Sequence, residues 1–161
     1  MTYAAYYFSP LGRIVLMSDG TALTDLDFAE DGLPASVEHT QKDLPVFEEV
    51  FRWLDLYFSG RDPGALPPLA PHGTAFQQAV WNILRRIPYG TTTTYGRIAA
   101  RIAAARGGRM SAQAVGGAVG RNPISILIPC HRVIGADGNL TGYAGGLDKK
   151  EYLLELEGAI E

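Results

Sequence analysis

The sequence predicts two unlike domains. An α/β domain of antiparallel strands plus one helix covers residues 1–70, and a mainly α domain with a helix-turn-helix and an active-site loop covers residues 71–161. Three observations carry this. Short β-branched and aromatic runs fill the first third, and apolar residues recur at three- and four-residue helical steps from residue 45 onward. Residues 61–73, RDPGALPPLAPHG, hold four prolines and two glycines, the composition of a linker. The charge balance changes sign across that linker. Residues 1–70 carry four Lys/Arg against eleven Asp/Glu, and residues 71–161 carry ten against six.

In chain order, TYAAYYFSP, GRIVLMS and ALTDLDF read as strands, separated by the turn signals Ser9-Pro10 and Asp19-Gly20. PVFEEVFRWLDLYF reads as a helix with Phe47, Val50, Phe51, Leu54 and Phe58 on one stripe and Gly60 at its end. Thr74 and Gln77 make a capping box ahead of a second stripe, Phe76, Val80, Ile83, Leu84 and Ile87. Pro88 and Gly90 end that helix. Thr94 caps a helix over residues 95–105 with Ile98, Ala99 and Ile102 inward, and Ser111 caps SAQAVGGAVGR beyond a Gly107-Gly108 turn. Two short helices about a glycine-containing turn are the pattern of a helix-turn-helix. The second helix holds Gly116, Gly117 and Gly120, each costing about 1 kcal/mol relative to Ala in a helix interior. Either a neighbouring helix or a nucleic-acid backbone must come close to it. An apolar strand, ILI, then leads into Pro129-Cys130-His131-Arg132. A hairpin is expected at Asp137 and Gly138, and Asp148 with Glu151 is expected to cap a last helix, KKEYLLELE, that stops at Gly158.

With 47% hydrophobic and 19% charged residues, the chain has the composition of a soluble globular protein. Its net charge of -3 conceals a local excess. Between Pro63 and Ala136 there is no acidic residue, and there are eight arginines: Arg85, Arg86, Arg97, Arg101, Arg106, Arg109, Arg121 and Arg132. Such asymmetry is expected of a polyanion-binding module. The single cysteine excludes an internal disulfide and a thiolate metal cluster, since His39, His72 and His131 lie far apart. No stretch has the length needed to span a bilayer. A reducing cytoplasm is the expected compartment.

A lone cysteine is ordinarily a small buried hydrophobe. Cys130 departs from that in three ways. Pro129 stops the strand before it and leaves it at a strand end. His131 and Arg132 place positive charge beside the sulfur, which favours thiolate over thiol. Glycines surround Tyr143 as they would in a pocket-forming loop. Consecutive residues of a strand face opposite ways, so His131 acts on Cys130 only if the backbone turns there or a water bridges the two.

Ile128-Pro129-Cys130-His131-Arg132-Val133 resembles the active-site signature of the O6-alkylguanine-DNA alkyltransferases. The likeness extends over residues 73–158. It includes Gly73-Thr74-Ala75-Phe76-Gln77, Val80-Trp81, Ile87-Pro88-Tyr89-Gly90, Thr94-Tyr95-Gly96, Ala114-Val115-Gly116-Gly117-Ala118, Asn122-Pro123, Tyr143-Ala144-Gly145-Gly146-Leu147 and Glu157-Gly158. The N-terminal half resembles the family only in its strand-rich outline.

The resemblance implies an N-terminal domain of ribonuclease-H-like outline and a C-terminal DNA-binding, active-site domain. It implies direct repair of double-stranded DNA containing O6-alkylguanine, and O4-alkylthymine as well. The alkyl group passes irreversibly to Cys130 in one turnover, with no cofactor and no metal. His131 takes the thiol proton through water, Glu157 orients His131, Tyr95 protonates the leaving guanine, and Asn122 bridges the turn and the active-site strand. Val133, Tyr143, Ala144 and Gly145 bind the flipped base. Thr94, Tyr95, Arg109, Gln113, Ala114, Gly116, Gly117 and Arg121 form the DNA face, with the glycine-bearing helix in the minor groove. No protein partner is implied, and a monomer is expected. Two residues depart from the family pattern. Gln113 stands where an arginine usually fills the gap left by the flipped base, and Ala144 stands where many members have serine. A Cys-His hydrolase and a non-enzymatic lesion-binding protein are the alternatives, and continued turnover would mark the hydrolase.

Overall fold

The computed structural model describes residues 2–29, 40–41, 43–140, 143 and 146–160. The chain forms two compact units, Met1–His72 and Gly73–Glu161. The first is a four-stranded sheet with one helix. Strands β1 (Tyr3–Ser9), β2 (Gly12–Ser18), β3 (Leu23–Phe28) and β4 (Thr40–Gln41) lie in the order β3-β2-β1-β4. β1, β2 and β3 pair antiparallel and β4 runs parallel to β1. Helix α1 (Pro45–Phe58) starts with proline in its first turn, where the missing N–H is not needed. Its buried side comprises Val46, Phe47, Val50, Trp53, Leu54 and Tyr57. Phe51 and Phe58 instead lie against Tyr7 of β1, with ring centroids 6.0 and 6.2 Å away, and the Tyr7 hydroxyl donates to Asp55 Oδ1 at 2.7 Å.

The proline-rich run after α1 is more ordered than a linker composition suggests. Leu23 N donates to Pro68 O at 2.9 Å, and Ala70 N donates to Leu23 O at 2.8 Å. Prolines lack one donor, yet alternate residues of the run still pair with the start of β3.

The second unit is built on α2 (Ala75–Leu84), α3 (Tyr95–Arg106) and α4 (Ala112–Gly120). Thr74 and Gln77 close both bonds of the capping box, at 3.1 and 2.9 Å. Thr94 and Ser111 cap α3 and α4 through Arg97 N and Ala114 N. Gly107 ends α3 with φ at 71°, a left-handed cap that suits glycine. Val80, Trp81, Leu84, Ile98, Ile102, Val115 and Val119 fill the space between these helices. The Trp81 indole N–H donates to Ala118 O at 2.9 Å and ties α2 to α4. A Cβ on Gly73 would fall 2.4 Å from the Trp81 ring, so the close approach of ring and backbone requires glycine there.

Two expectations give way beyond α4, and a third is met in part. Residues 126–128 are not a strand. Ile126 takes φ of 70°, and a β-branched residue in the left-handed region breaks any extended run. The chain folds instead into consecutive turns, with Leu127 N donating to Ser125 O at 2.8 Å and Cys130 N to Ile128 O at 2.7 Å. The turn expected at Asp137 and Gly138 is present: Gly138 N donates to Gly135 O at 2.9 Å and Gly138 takes φ of 85°, as in a three-residue hairpin loop, while residues 141 and 142 on the returning side lie outside the described residues. Gly135 N donates to Asn139 O at 2.8 Å to close that loop, and the strand before it, β6 (Val133–Ile134), pairs in parallel with β5 (Thr93–Thr94). Helix α5 (Leu147–Glu157) starts from Gly146, with no side-chain cap. Asp148 therefore lies inside the first turn, where its carboxylate faces the positive end of the helix dipole without capping it.

Candidate active site

Cys130 opens a single 3-10 turn, Cys130–Arg132, and is 7% exposed. The backbone turn that the histidine requires is present at the cysteine itself. Asn122 holds the approach to it. Its Nδ2 donates to Ile128 O at 2.7 Å and its Oδ1 accepts from Ile124 N at 3.0 Å, so one amide clamps both ends of the preceding turns. Val133 N closes the far side on Cys130 O. Pairing of Val133 with Thr93 and of Ile134 with Thr94 brings the start of α3 beside the turn. Tyr95, the first residue of α3, lies against Gly116 of α4, and a Cβ added there would be 3.8 Å from its ring.

His131, Arg132 and Glu157 form a buried cluster beneath the turn. His131 Nε2 lies 2.6 Å from Glu157 Oε2. A carboxylate only accepts, so this contact places the proton on Nε2 and leaves Nδ1 as the basic nitrogen of the neutral ring. Arg132 Nε donates to Glu157 Oε1 at 2.8 Å and Nη2 to Oε2 at 3.2 Å, while Nη1 donates to Ile87 O at 2.7 Å. Gly90 N donates to Glu157 Oε1 at 3.1 Å. With φ at 79°, Gly90 sits in the left-handed region and presents its N–H to the carboxylate. Burial pushes the Glu157 carboxyl up, but hydrogen bonds and charge from His131 and Arg132 outweigh it and hold the group down at about 2. Burial lowers the His131 imidazole below its ordinary range, and the Glu157 bond opposes this only in part. At neutral pH the pair is therefore a neutral imidazole oriented by a carboxylate.

Arg132 thus differs from its sequence reading. Its guanidinium is engaged by Glu157 and Ile87 rather than standing as free charge beside the sulfur. Sequence reasoning also missed Gly90 and Lys150. Lys150 is fully buried and donates from Nζ to Val133 O at 2.6 Å. A signal for it existed. Lys150, Leu153, Leu154 and Glu157 recur at helical steps, so two ionisable residues share the apolar face of α5.

On α4, Gln113, Ala114, Gly117 and Gly120 are exposed, while Val115, Ala118 and Val119 are buried. A Cβ on Gly117 or Gly120 would meet nothing within 4 Å. Close packing of a neighbouring helix therefore does not account for these glycines. Arg109 and Arg121 are exposed at the two ends of α4, Arg109 in the turn before Ser111 rather than on the helix. The Thr94 hydroxyl is engaged as the α3 cap. Tyr143 is half-buried, and its carbonyl accepts from Gly146 N at 2.9 Å. Ala144 and Gly145 lie outside the described residues. A groove of about 360 Å³ between α2 and α3, lined by Phe76, Ala79, Ile83, Arg86 and Arg101 among others, shares no residue with the Cys130 cluster. Among the described residues, no group of three or more His, Cys, Asp or Glu could hold a metal ion, and no helix is long and apolar enough to cross a membrane.

Comparison with known proteins gives consistent matches. Residues 2–65 match the family described as 6-O-methylguanine DNA methyltransferase, ribonuclease-like domain, and residues 75–159 match its DNA binding domain. The chain is 50% identical over 157 residues to a methylated-DNA–protein-cysteine methyltransferase of Haemophilus influenzae, covering 96% of this chain and 86% of the relative. It is 47% identical to the enzyme of that name from Methanosarcina acetivorans, covering 98% and 99%. Mycobacterium tuberculosis OGT, solved in complex with DNA, superposes with a TM-score of 0.83 at 42% identity, covering 98% of this chain and 93% of that one.

Proposed function

The chain belongs to the 6-O-methylguanine DNA methyltransferase family, and from that premise we propose that it repairs alkylated DNA by direct reversal, with Cys130 as the acceptor. It is a methylated-DNA–protein-cysteine methyltransferase whose partner is double-stranded DNA carrying O6-alkylguanine, with O4-alkylthymine as a second lesion. The Cys130 thiolate attacks the alkyl carbon, a C–S bond forms, and the C–O6 bond breaks with its electron pair leaving on guanine. Tyr95 protonates that leaving group. The thiol proton has already passed through water to Nδ1 of His131. The observation that carries this reading is the 2.6 Å contact between His131 Nε2 and Glu157, buried beside the chain's only thiol. It supplies a nucleophile, a base and an orienting group in sequence.

The target atom lies inside the duplex, so the nucleotide flips out at a cost of a few kcal/mol. The main chain at Val133 and the loop around Tyr143, with Ala144 and Gly145, receive the base. The exposed small face of α4, Ala114 and Gly117 with Gly116 beside Tyr95, enters the minor groove. Arg109, Gln113, Arg121 and Thr94 flank it. All these residues belong to one chain, so a monomer suffices. A nucleophilic thiol works in a reducing compartment, and the cytoplasm is where we place it.

Intact mass after mixing with DNA containing O6-methylguanine tests the reading. The protein should gain one methylene equivalent once and then stay inactive. Cys130→Ser should gain nothing while still binding DNA. Repeated turnover with unmodified protein would mean a hydrolase instead.

A further inference from the structure

The groove between α2 and α3 takes no part in the relay above. Ala79 and Ile83 each lie two residues from Trp81, roughly 160° around the helix. Trp81 bonds Ala118 O of α4, so the groove opens on the side of α2 turned away from α4. Its floor is apolar, with Phe76, Ala79 and Ile83 from α2 and Ile102 and Ala105 from α3. Its charged lining is Arg86, Arg101 and Arg106, all exposed, and no carboxylate lines it among the described residues. The Arg106 guanidinium stands 5.9 Å from the centroid of the Phe76 ring and marks one end. Arg86 and Arg101 mark the other end, where the groove runs on into a hollow of about 250 Å³ that shares both residues with it.

The floor decides what kind of anion fits. A nucleic-acid backbone is met by donors along its length, and such interfaces are strongly polar. Here the cations stand at the two ends and the middle is aliphatic. Ala79 and Ala105 keep that middle low enough for another helix to lie between α2 and α3. Helix α2 has ten residues and is about 15 Å long, the length of about three turns of docked helix. Guanidinium groups at the ends hold carboxylates in two-bond pairs.

We propose that this groove docks an amphipathic helix of a partner protein, with aliphatic side chains on the face that enters it and Asp or Glu at both ends of that face. Charge complementarity selects the partner: three arginines without a carboxylate repel a basic helix and attract an acidic one. The site lies apart from Cys130 and from the exposed face of α4, so the partner and a duplex are held by one molecule together.

A fluorescein-labelled synthetic helix of about three turns, with Leu at i, i+3, i+4 and i+7 and Glu at both ends, tests this by polarisation with the full chain. It should bind saturably. Affinity should fall about tenfold or more in Arg86→Glu with Arg101→Glu, and likewise in Ala79→Trp, whose ring fills the floor without changing charge. Arg52→Glu with Arg61→Glu makes the same change in net charge and should leave binding nearly unaltered. Peptides with Lys in place of Glu, or with the same residues reordered so that no apolar face forms, should not bind. Methyl transfer and duplex affinity should be unchanged in Ala79→Trp. Should that variant fail to fold, the two arginine pairs carry the comparison. Absence of saturable binding by the Glu peptide, or an equal loss in both arginine pairs, overturns the proposal. In amide NMR spectra the peptide should shift Ala79 and Ile102, and undamaged duplex should not. A duplex that shifts them and displaces the peptide makes the groove a nucleic-acid surface, and the proposal is then wrong. Self-association of the protein alone that Ala79→Trp abolishes would make the occupant a second copy, which overturns it too.

Discussion

Glu157 shows how one residue joins stability to chemistry. Its carboxylate accepts from His131, from Arg132 twice and from Gly90. The native pKa of about 2 lies below the ordinary 4.5. The unfolded chain therefore binds the proton more readily than the folded one. Glu157 contributes stability that is complete above about pH 4.5 and is lost as pH falls through about 2. The contribution is on the order of 3 kcal/mol at neutral pH, from a shift of that size. Urea midpoints measured from pH 7 to pH 2 should fall across this window. Glu157→Gln should be less stable at pH 7 and should lose this group's share of the acid dependence, because the amide leaves the Arg132 charge buried without its anion. It should also slow methyl transfer, since His131 then lacks the acceptor that fixes its tautomer. A Glu157→Gln protein of unchanged urea midpoint at pH 7 would show that the network carries no net stability.

At the scale of elements, two glycine sites make opposite demands. Gly73 faces the Trp81 ring, with an added Cβ only 2.4 Å away, whereas Gly117 faces open space. Gly73→Ala should lower the melting temperature by displacing a buried ring that also bonds Ala118 O. Gly117→Ala should leave folding intact or stabilise it by up to about 1 kcal/mol through helix propensity. It should nonetheless weaken binding to duplex DNA, because in the function proposed above the added methyl lies on the face that enters the minor groove. Thermal melts paired with DNA titrations check both, and unaltered DNA affinity in Gly117→Ala would remove α4 from the groove.

The same scale shows what the sequence could convey. Helices announced by local chemistry were legible: the Thr74 and Gln77 box and the Thr94 and Ser111 caps are short-range features, and the structure contains each one. The dipeptide Cys130-His131 was legible as chemistry. The geometry between Ile124 and Val133 was not. An apolar run such as ILI fits a strand by composition, and only the left-handed Ile126 and the Asn122 clamp turn it aside. The parallel pairing of Thr93 with Val133 joins residues forty apart and has no local signal. Lys150 and Glu157 were visible as a pair on the α5 stripe, but the partners of buried charges are set by tertiary contacts.

Over the whole molecule, charge divides as the two compact units do. Every arginine between residues 85 and 132 belongs to Gly73–Glu161, while the acidic excess lies in Met1–His72. Burial then sorts the arginines by role. Arg132 is inside and structural, whereas Arg97, Arg109 and Arg121 are exposed and open to phosphate. Neutralising a phosphate releases counterions, so each such arginine adds about 0.9 to the slope of log affinity against log salt. In the full chain, replacing Arg97, Arg109 and Arg121 by Gln should weaken binding to undamaged duplex and flatten that slope by roughly two to three. Replacing Arg13, Arg52 and Arg61 by Gln, with the same loss of formal charge, should leave the slope nearly unchanged. The net charge of -3 would be shifted equally by either triple replacement, so the pair of variants separates local contact from overall charge. Equal slopes in the two variants would mean that DNA senses the net charge of the protein and not an arginine face.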